Sequence, residues 1–83
     1  MNLPADVIHN EVLVRASGNR ELLIENYKGI LLYTTEEIVI TCKGLSIRIC
    51  GCDLKIAYFS GYDMKVMGNI RSISYRMDGE VCC

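Results

Sequence analysis

The sequence predicts a small all-β domain, and three observations lead to that fold class. Apolar and polar residues alternate with period two in several segments, among them LSIRIC at residues 45–50, and this period is typical of strands with one covered face. Turn signals rich in Gly, Ser and Asn separate these short segments. No helical periodicity follows Asn10, and the single proline lies outside every predicted strand. The pattern indicates about seven or eight short antiparallel strands, arranged as a meander or a roll.

The predicted strands follow one another between turn signals. In chain order they are the segments EVLV, RELLIEN, ILLYT, EIVITCK, LSIRIC, DLKIAYF, MKVM and IRSISY. Turns are predicted at SGN, TEE, CKG and SGYD. The segment ENYKG is predicted to form a hairpin turn, closed by Gly29 in the left-handed conformation. Gly51 and Gly68 either end strands or mark bulges.

Several strands have a predicted inward face. Residues expected to point inward recur roughly every eight to ten positions: Ile30, Ile38, Ile47, Ile56 and Val66. The segments GILLY, ELLIE and AYF are apolar on both faces. We therefore expect these three segments to be buried on both sides or to lie under a partner.

The chain of 83 residues has room for one domain. We expect an N-terminal segment at 1–10 with at most one helical turn starting at Pro4, a β domain at 11–76, and a flexible tail with cysteines at 77–83. So small a domain is marginally stable alone. Its hydrophobic fraction of 51% is slightly above the usual ~45–50%, which favours a surface for self-association.

Charge and hydropathy disfavour two classes of partner. Nine Lys and Arg against ten Asp and Glu leave a net charge of −1, whereas nucleic-acid-binding domains are usually basic. No stretch approaches the ~20 apolar residues that span a bilayer, and the first residues do not resemble a secretory signal. We therefore expect no nucleic-acid partner, no direct membrane insertion and a cytoplasmic location.

The five cysteines cannot all pair within one chain, and in the cytosol they are expected to be reduced. Cys42 is predicted to lie in the core. Cys50 and Cys52 form one tight pair without the second pair that zinc sites usually have, so we predict no metal. Cys82 and Cys83 could form intermolecular disulfides under oxidising conditions.

Nothing in the sequence points to catalysis. His9 is the only histidine and is expected to be solvated, and the adjacent Glu36 and Glu37 would point to opposite faces of a strand. We predict no enzyme, no catalytic residues and no cofactor. Two alternatives stay open: a small β domain that binds single-stranded nucleic acid through its aromatic and basic residues, and a thiol redox or metal-binding protein.

Three stretches, LPADVI, IENYKGILLYTTEEIVI and VMGNIRSISY, resemble the YabP/YqfC family of sporulation proteins, and its YqfC branch most closely. The resemblance covers roughly residues 3–76. Matching positions are Leu3, Pro4, Asp6 and Val7, then Ile24 to Ile30, Tyr33, Glu37 and Ile38, and finally Gly68, Ile70, Ile73 and Tyr75. The chain departs from the family in its short N-terminal extension, which lacks basic residues, and in its many cysteines.

This resemblance implies a non-enzymatic factor for interaction or assembly during endospore formation, in the mother-cell compartment of a sporulating bacterium. The resemblance also implies a membrane-bound sporulation protein as a candidate partner. From the short apolar domain, its strand edges and the GILLY segment we further expect a homo-oligomer, joined through strand edges or an apolar face. The candidate interaction positions lie in the family motif: Glu25, Asn26, Tyr27, Lys28, Gly29 and Tyr33. Whether they contact a partner or only hold the turn stays open at this point.

Overall fold

A computed structural model describes residues 11–77, and every regular element in this range is a β-strand. The strands are β1 (Leu13–Ser17), β2 (Glu21–Glu25), β3 (Tyr27–Tyr33), β4 (Glu37–Cys42), β5 (Leu45–Phe59) and β6 (Asp63–Met77). They form one six-stranded antiparallel sheet in the order β1-β2-β6-β5-β4-β3. The all-β prediction is confirmed. The predicted N-terminal helical turn, His9, and the pair Cys82 and Cys83 lie outside the described residues.

The predicted number of strands, about seven or eight, was too high. The segments LSIRIC and DLKIAYF form the single strand β5, and MKVM and IRSISY form β6, each 15 residues long. The pairing of β5 with β6 shifts register at Cys50/Gly51 and again between Cys52 and Lys55. Glycine lets a strand kink without ending its ladder, so Gly51 and Gly68 mark bulges rather than strand ends.

The sheet has two parts that share β5 and β6. The first layer contains β1, β2, residues 63–67 of β6 and residues 55–59 of β5. The second layer contains β3, β4, residues 45–52 of β5 and residues 69–77 of β6. The bulges therefore lie where the two long strands pass from one layer to the other.

The two layers enclose one core. Leu22 and Ile24 of β2 belong to the same buried cluster as Ile38 and Ile40 of β4, although β6 and β5 separate these strands within the sheet. All four side chains are almost completely buried, and no helix in residues 11–77 covers the sheet. The face of each layer must therefore be covered by the other layer.

The expected inward residues fit this core with one exception. Ile38, Ile47 and Val66 are fully buried, and Ile56 packs partly buried against the cluster. Ile30, opposite Ile40, is 37% exposed, so the prediction that it is buried was wrong. The physical reason is position, because within residues 11–77 β3 is an edge of the sheet and has a neighbouring strand on one side only.

Both bulges are fastened to hairpin turns by backbone hydrogen bonds. In β5, the N–H groups of Gly51 and Leu54 donate to carbonyls of the β3–β4 turn, at 3.0 and 2.8 Å. In β6, the N–H groups of Gly68 and Ile70 donate to carbonyls of the β1–β2 turn, at 3.1 and 2.8 Å. The two hairpins thus hold the two long strands in equivalent ways, which gives the domain an approximate twofold arrangement.

The predicted turns at TEE and SGYD are confirmed and have the same geometry. Thr34 Oγ1 accepts from the N–H groups of Glu36 and Glu37, and Ser60 Oγ accepts from those of Tyr62 and Asp63. Such side-chain bonds mimic a backbone turn. They explain why a hydroxyl residue begins each of these connections.

The predicted hairpin at ENYKG was wrong. Strand β2 ends at Glu25 and β3 begins at Tyr27, so Asn26 alone connects them, and the two strands lie in different layers. The left-handed residue is Asn26, with φ of 68°, whereas Gly29 lies inside β3. Asparagine tolerates this conformation better than other residues with a side chain, and it turns the chain sharply from the first layer into the second.

Candidate functional site

The connection between β2 and β3 is the centre of the family motif, and Asn26 anchors it. The backbone N–H of Asn26 donates to the carbonyl of Tyr62 at 2.7 Å. Its side-chain Nδ2 donates to the carbonyl of Glu11 at 2.8 Å. Asn26 therefore ties the crossover to the β5–β6 turn and to the segment that precedes β1.

Two tyrosines of β3 fasten the second layer to residues near the end of β5. Tyr27 is almost buried, and its hydroxyl donates to the carbonyl of Ser60 at 2.6 Å. The hydroxyl of Tyr33 accepts from the backbone N–H of Ile56 at 2.9 Å. These bonds cross between the layers, so both tyrosines have a structural role whatever else they contact.

The same end of the molecule contains an open cavity of about 290 Å³. Its lining comes from the β2–β3 connection and the start of β3, the β4–β5 turn and the β5–β6 turn: Asn26, Tyr27, Lys28, Lys43 and Tyr62. Within residues 11–77, ion pairs join Arg48 to Glu37 and Lys65 to Glu21, and none includes either lysine of the cavity. Among the described residues, the lining of the cavity therefore has two cations and no carboxylate.

The remaining predicted positions, Glu25 and Gly29, lie beside this cavity but do not line it. Glu25 is opposite Leu13 on one side and Asp63 on the other. A Cβ atom at Gly29 would lie 3.2 Å from Thr41 Oγ1, which is a tight approach to the neighbouring strand. The structure thus brings Asn26, Tyr27 and Lys28 together and leaves Glu25, Gly29 and Tyr33 with separate surroundings.

Sequence reasoning missed Lys43 and Tyr62 as neighbours of the motif. It did place each in a turn, in CKG and SGYD respectively. Both turns lie far from the motif in sequence and at opposite ends of β5, so only the folding of the sheet into two layers brings them together at one end of the molecule.

The edge strand β3 exposes apolar side chains. Leu31 is 67% exposed, and Leu32 and Tyr33 are also exposed. A register shift between Ile30 and Leu32 leaves Leu31 without an opposite residue on β4. The prediction that GILLY is buried on both sides is therefore wrong for a single chain, and the alternative that a partner covers it stays a prediction.

The described thiols differ in accessibility. Cys42 is buried, as predicted, while Cys50 is half-buried and Cys52 is exposed. Burial raises the pKa of the Cys42 thiol, and thiolate is the reactive form. Cys42 is therefore unsuited to nucleophilic redox chemistry, and the thiol alternative would depend on other cysteines.

We expect iodoacetamide at pH 8 to alkylate Cys52 in the folded protein and to reach Cys42 only after unfolding in urea. Peptide mapping by mass spectrometry measures both sites in one sample. Equal alkylation of Cys42 and Cys52 in the folded protein would contradict the buried position.

The buried thiol also predicts a pH dependence of stability. Because the pKa of Cys42 is raised on folding, the folded state keeps its thiol proton to higher pH. The free energy of unfolding should therefore fall as pH rises past the ordinary thiol pKa of 9.0.

The exposed ion pair between Arg48 and Glu37 joins β5 to β4. The side-chain hydrogen bond from Arg48 to Glu37, together with the charge of that carboxylate, raises the pKa of the guanidinium. Arg48 therefore stays charged throughout the physiological range and provides no pH switch.

Two negative findings apply to residues 11–77. No three or more His, Cys, Asp or Glu side chains are grouped so that they could hold a metal ion. No helix in this range has the length and apolar character required to cross a bilayer.

Comparison with known proteins gives one result for the chain. The model of the YabP family matches residues 10–81, a span that includes the described lining residues of the cavity. No curated protein and no solved structure shows significant similarity. The predicted family is therefore confirmed, while the assignment to its YqfC branch stays a prediction.

Proposed function

The chain belongs to the YabP family, and from this membership we propose that it is a non-enzymatic interaction or assembly protein of endospore formation. The YabP family is a family of sporulation proteins, which supports a role in endospore formation. The observation that supports the molecular role is that no other strand of residues 11–77 pairs with the outer edge of β3, because exposed apolar edges pair readily with another chain.

The proposed assembly surface is the β3 edge, and its occupant is a second copy of the chain. From Gly29 to Thr35 the chain has no charged residue. Charges that prevent pairing are present on other exposed strand segments, with Arg15 on β1 and with Arg71 and Arg76 in the last part of β6. Native proteins protect edges with such charges, so the uncharged part of β3 from Gly29 to Tyr33 is the edge segment best suited to pairing.

The low net charge of the chain permits self-association. A net charge of −1 creates little repulsion between copies. We further propose that the resulting oligomer acts in the cytoplasm of the mother cell and meets a membrane-bound sporulation protein there.

We expect the chain to elute as an oligomer at micromolar concentration and Leu31→Lys to shift it to a monomer. The lysine introduces a charge into the pairing edge, while the high exposure of Leu31 keeps the change in folding free energy within about 0.5 kcal/mol. Size-exclusion chromatography with light scattering over a dilution series measures the mass.

The matched control is Leu13→Lys, the same change on β1, at a residue that is 47% exposed. It should leave the oligomer intact. A wild-type monomer at high micromolar concentration, or equal loss of mass in both variants, would refute assembly through β3.

Deletion of the gene in the source organism tests the process. We expect fewer heat-resistant spores, restored by the wild-type chain and restored less well by Leu31→Lys. Affinity purification of a tagged chain from sporulating cells should enrich a membrane-bound companion. Normal numbers of heat-resistant spores in the deletion strain would refute the sporulation role.

A further inference from the structure

We propose that the cavity lined by Lys28 and Lys43 binds an acidic peptide segment of a partner protein. This inference deepens the proposed interaction function and rests on it. It uses a surface separate from the central part of the β3 edge, because the cavity lies at the end of the molecule where β3 begins. The site would hold one or two carboxylate side chains between the lysines.

The electrostatics of the cavity favour an anion. Lys28 and Lys43 both line it, and within the described part of the chain neither has a carboxylate partner. Two like charges that face one space repel each other, and an anion between them relieves that repulsion. Glu25 and Asp63 oppose each other on β2 and β6 but do not line the cavity.

The shape of the site is set by rigid contacts. Asn26 is fixed by backbone and side-chain hydrogen bonds, and Tyr27 is fixed by its bond to Ser60. Asn26 and Tyr27 are therefore held in place before any ligand binds, so little conformational entropy of these side chains is lost on binding. The exposed ring of Tyr62 adds an apolar wall for the stem of a glutamate side chain.

The chemistry selects a peptide over the other anions that lysine can bind. A volume of about 290 Å³ is at the small end of ligand pockets and suits one or two side chains. A nucleic acid would need a longer basic track along its backbone, whereas the chain is slightly acidic overall.

The test is an NMR titration of the full ¹⁵N-labelled chain with an N-acetylated hexaglutamate peptide at low salt. We expect saturable shifts of the backbone amides of Asn26, Lys28, Lys43 and Tyr62. The double variant Lys28→Gln with Lys43→Gln should raise the dissociation constant about fivefold, since each exposed charge contact is individually weak. High salt should abolish the shifts of the wild-type protein.

Matched controls separate the site from general charge effects. Lys55→Gln removes one exposed cation of β5 outside the cavity and should leave peptide binding unchanged, and hexaglutamine should cause no shifts. Overturning results would be equal shifts with inorganic phosphate, stronger binding of an oligothymidine than of the peptide, or loss of peptide binding in Lys55→Gln.

Failure of the acidic-peptide site can be distinguished from failure of the proposed function. The double variant should keep the oligomeric mass of the wild-type chain, because it leaves Leu31 and the centre of the β3 edge unchanged. Absence of peptide binding with assembly and sporulation intact would refute only the acidic-peptide site. Normal sporulation after gene deletion would refute the proposed function whether or not the peptide binds.

Discussion

We expect replacement of Gly51 with alanine to destabilise the fold more than the same change at Gly29 or Gly61, the other described glycines without a positive φ. The added Cβ would lie 2.1 Å from the carbonyl oxygen of Asn69 and 3.1 Å from the Cα of Ile70. Both are backbone atoms, so no side-chain rotation can relieve the clash. Either the β5–β6 ladder separates at this point or the bulge rearranges.

We expect this clash to cost on the order of 3–5 kcal/mol of unfolding free energy. A domain of this length has a total stability of roughly 4–12 kcal/mol, so Gly51→Ala should be largely unfolded or poorly soluble at 37 °C. Urea denaturation followed by circular dichroism measures the loss, and the soluble yield provides a second readout where folding fails.

The matched control for this change is Gly61→Ala. A Cβ at Gly61, in the β5–β6 turn, would meet nothing within 4 Å, so its effect should be within about 0.5 kcal/mol. Similar urea midpoints for the two variants would show that the β5 and β6 backbones do not approach each other closely at Gly51.

Replacing Gly68 with alanine should be comparably severe, for two combined reasons. Its φ of 139° is one that residues with a side chain rarely adopt. A Cβ there would also lie 2.5 Å from the carbonyl oxygen of Asp53 and 2.9 Å from the Cα of Leu54. The position is the counterpart of Gly51 at the other bulge, so we again expect a loss on the order of 3–5 kcal/mol.

Gly18→Ala separates the two reasons. Gly18 also has a positive φ, of 56°, but a Cβ there would meet nothing within 4 Å, so only a conformational cost of about 1–2 kcal/mol applies. The difference between Gly68→Ala and Gly18→Ala in urea midpoint then reports the close approach of the backbones. If Gly68→Ala were no worse than Gly18→Ala, the packing of Gly68 against Asp53 would be wrong.

The local pattern was sufficient for the strands and most turns. Alternation in LSIRIC predicts that Ile47 and Ile49 share a face, and both are fully buried. Hydroxyl residues with glycine or acidic neighbours predict the turns that begin at Thr34 and Ser60. These features depend on residues within a few positions of one another, so the linear sequence contains the required information.

Continuity of the long strands could not be predicted in this way. Gly51 and Gly68 have the local appearance of strand ends, but glycine is common both at strand ends and at bulges. Whether a glycine ends a strand or allows a bulge depends on the backbone opposite it, which here belongs to the other long strand. The same limit explains the error at ENYKG, where Asn26 and not Gly29 takes the left-handed conformation.

The candidate site shows the same division. Asn26, Tyr27 and Lys28 stand out in the sequence because they belong to a motif shared with a family, but their partners, Lys43 and Tyr62, come from two later turns. Period-two alternation depends on neighbouring residues alone, and it therefore determines the strand segments, most of the buried side chains and the fold class. The folding of one sheet into two facing layers depends on contacts between distant segments, and those contacts determine the two bulges, the exposed β3 edge and the lysine-lined cavity.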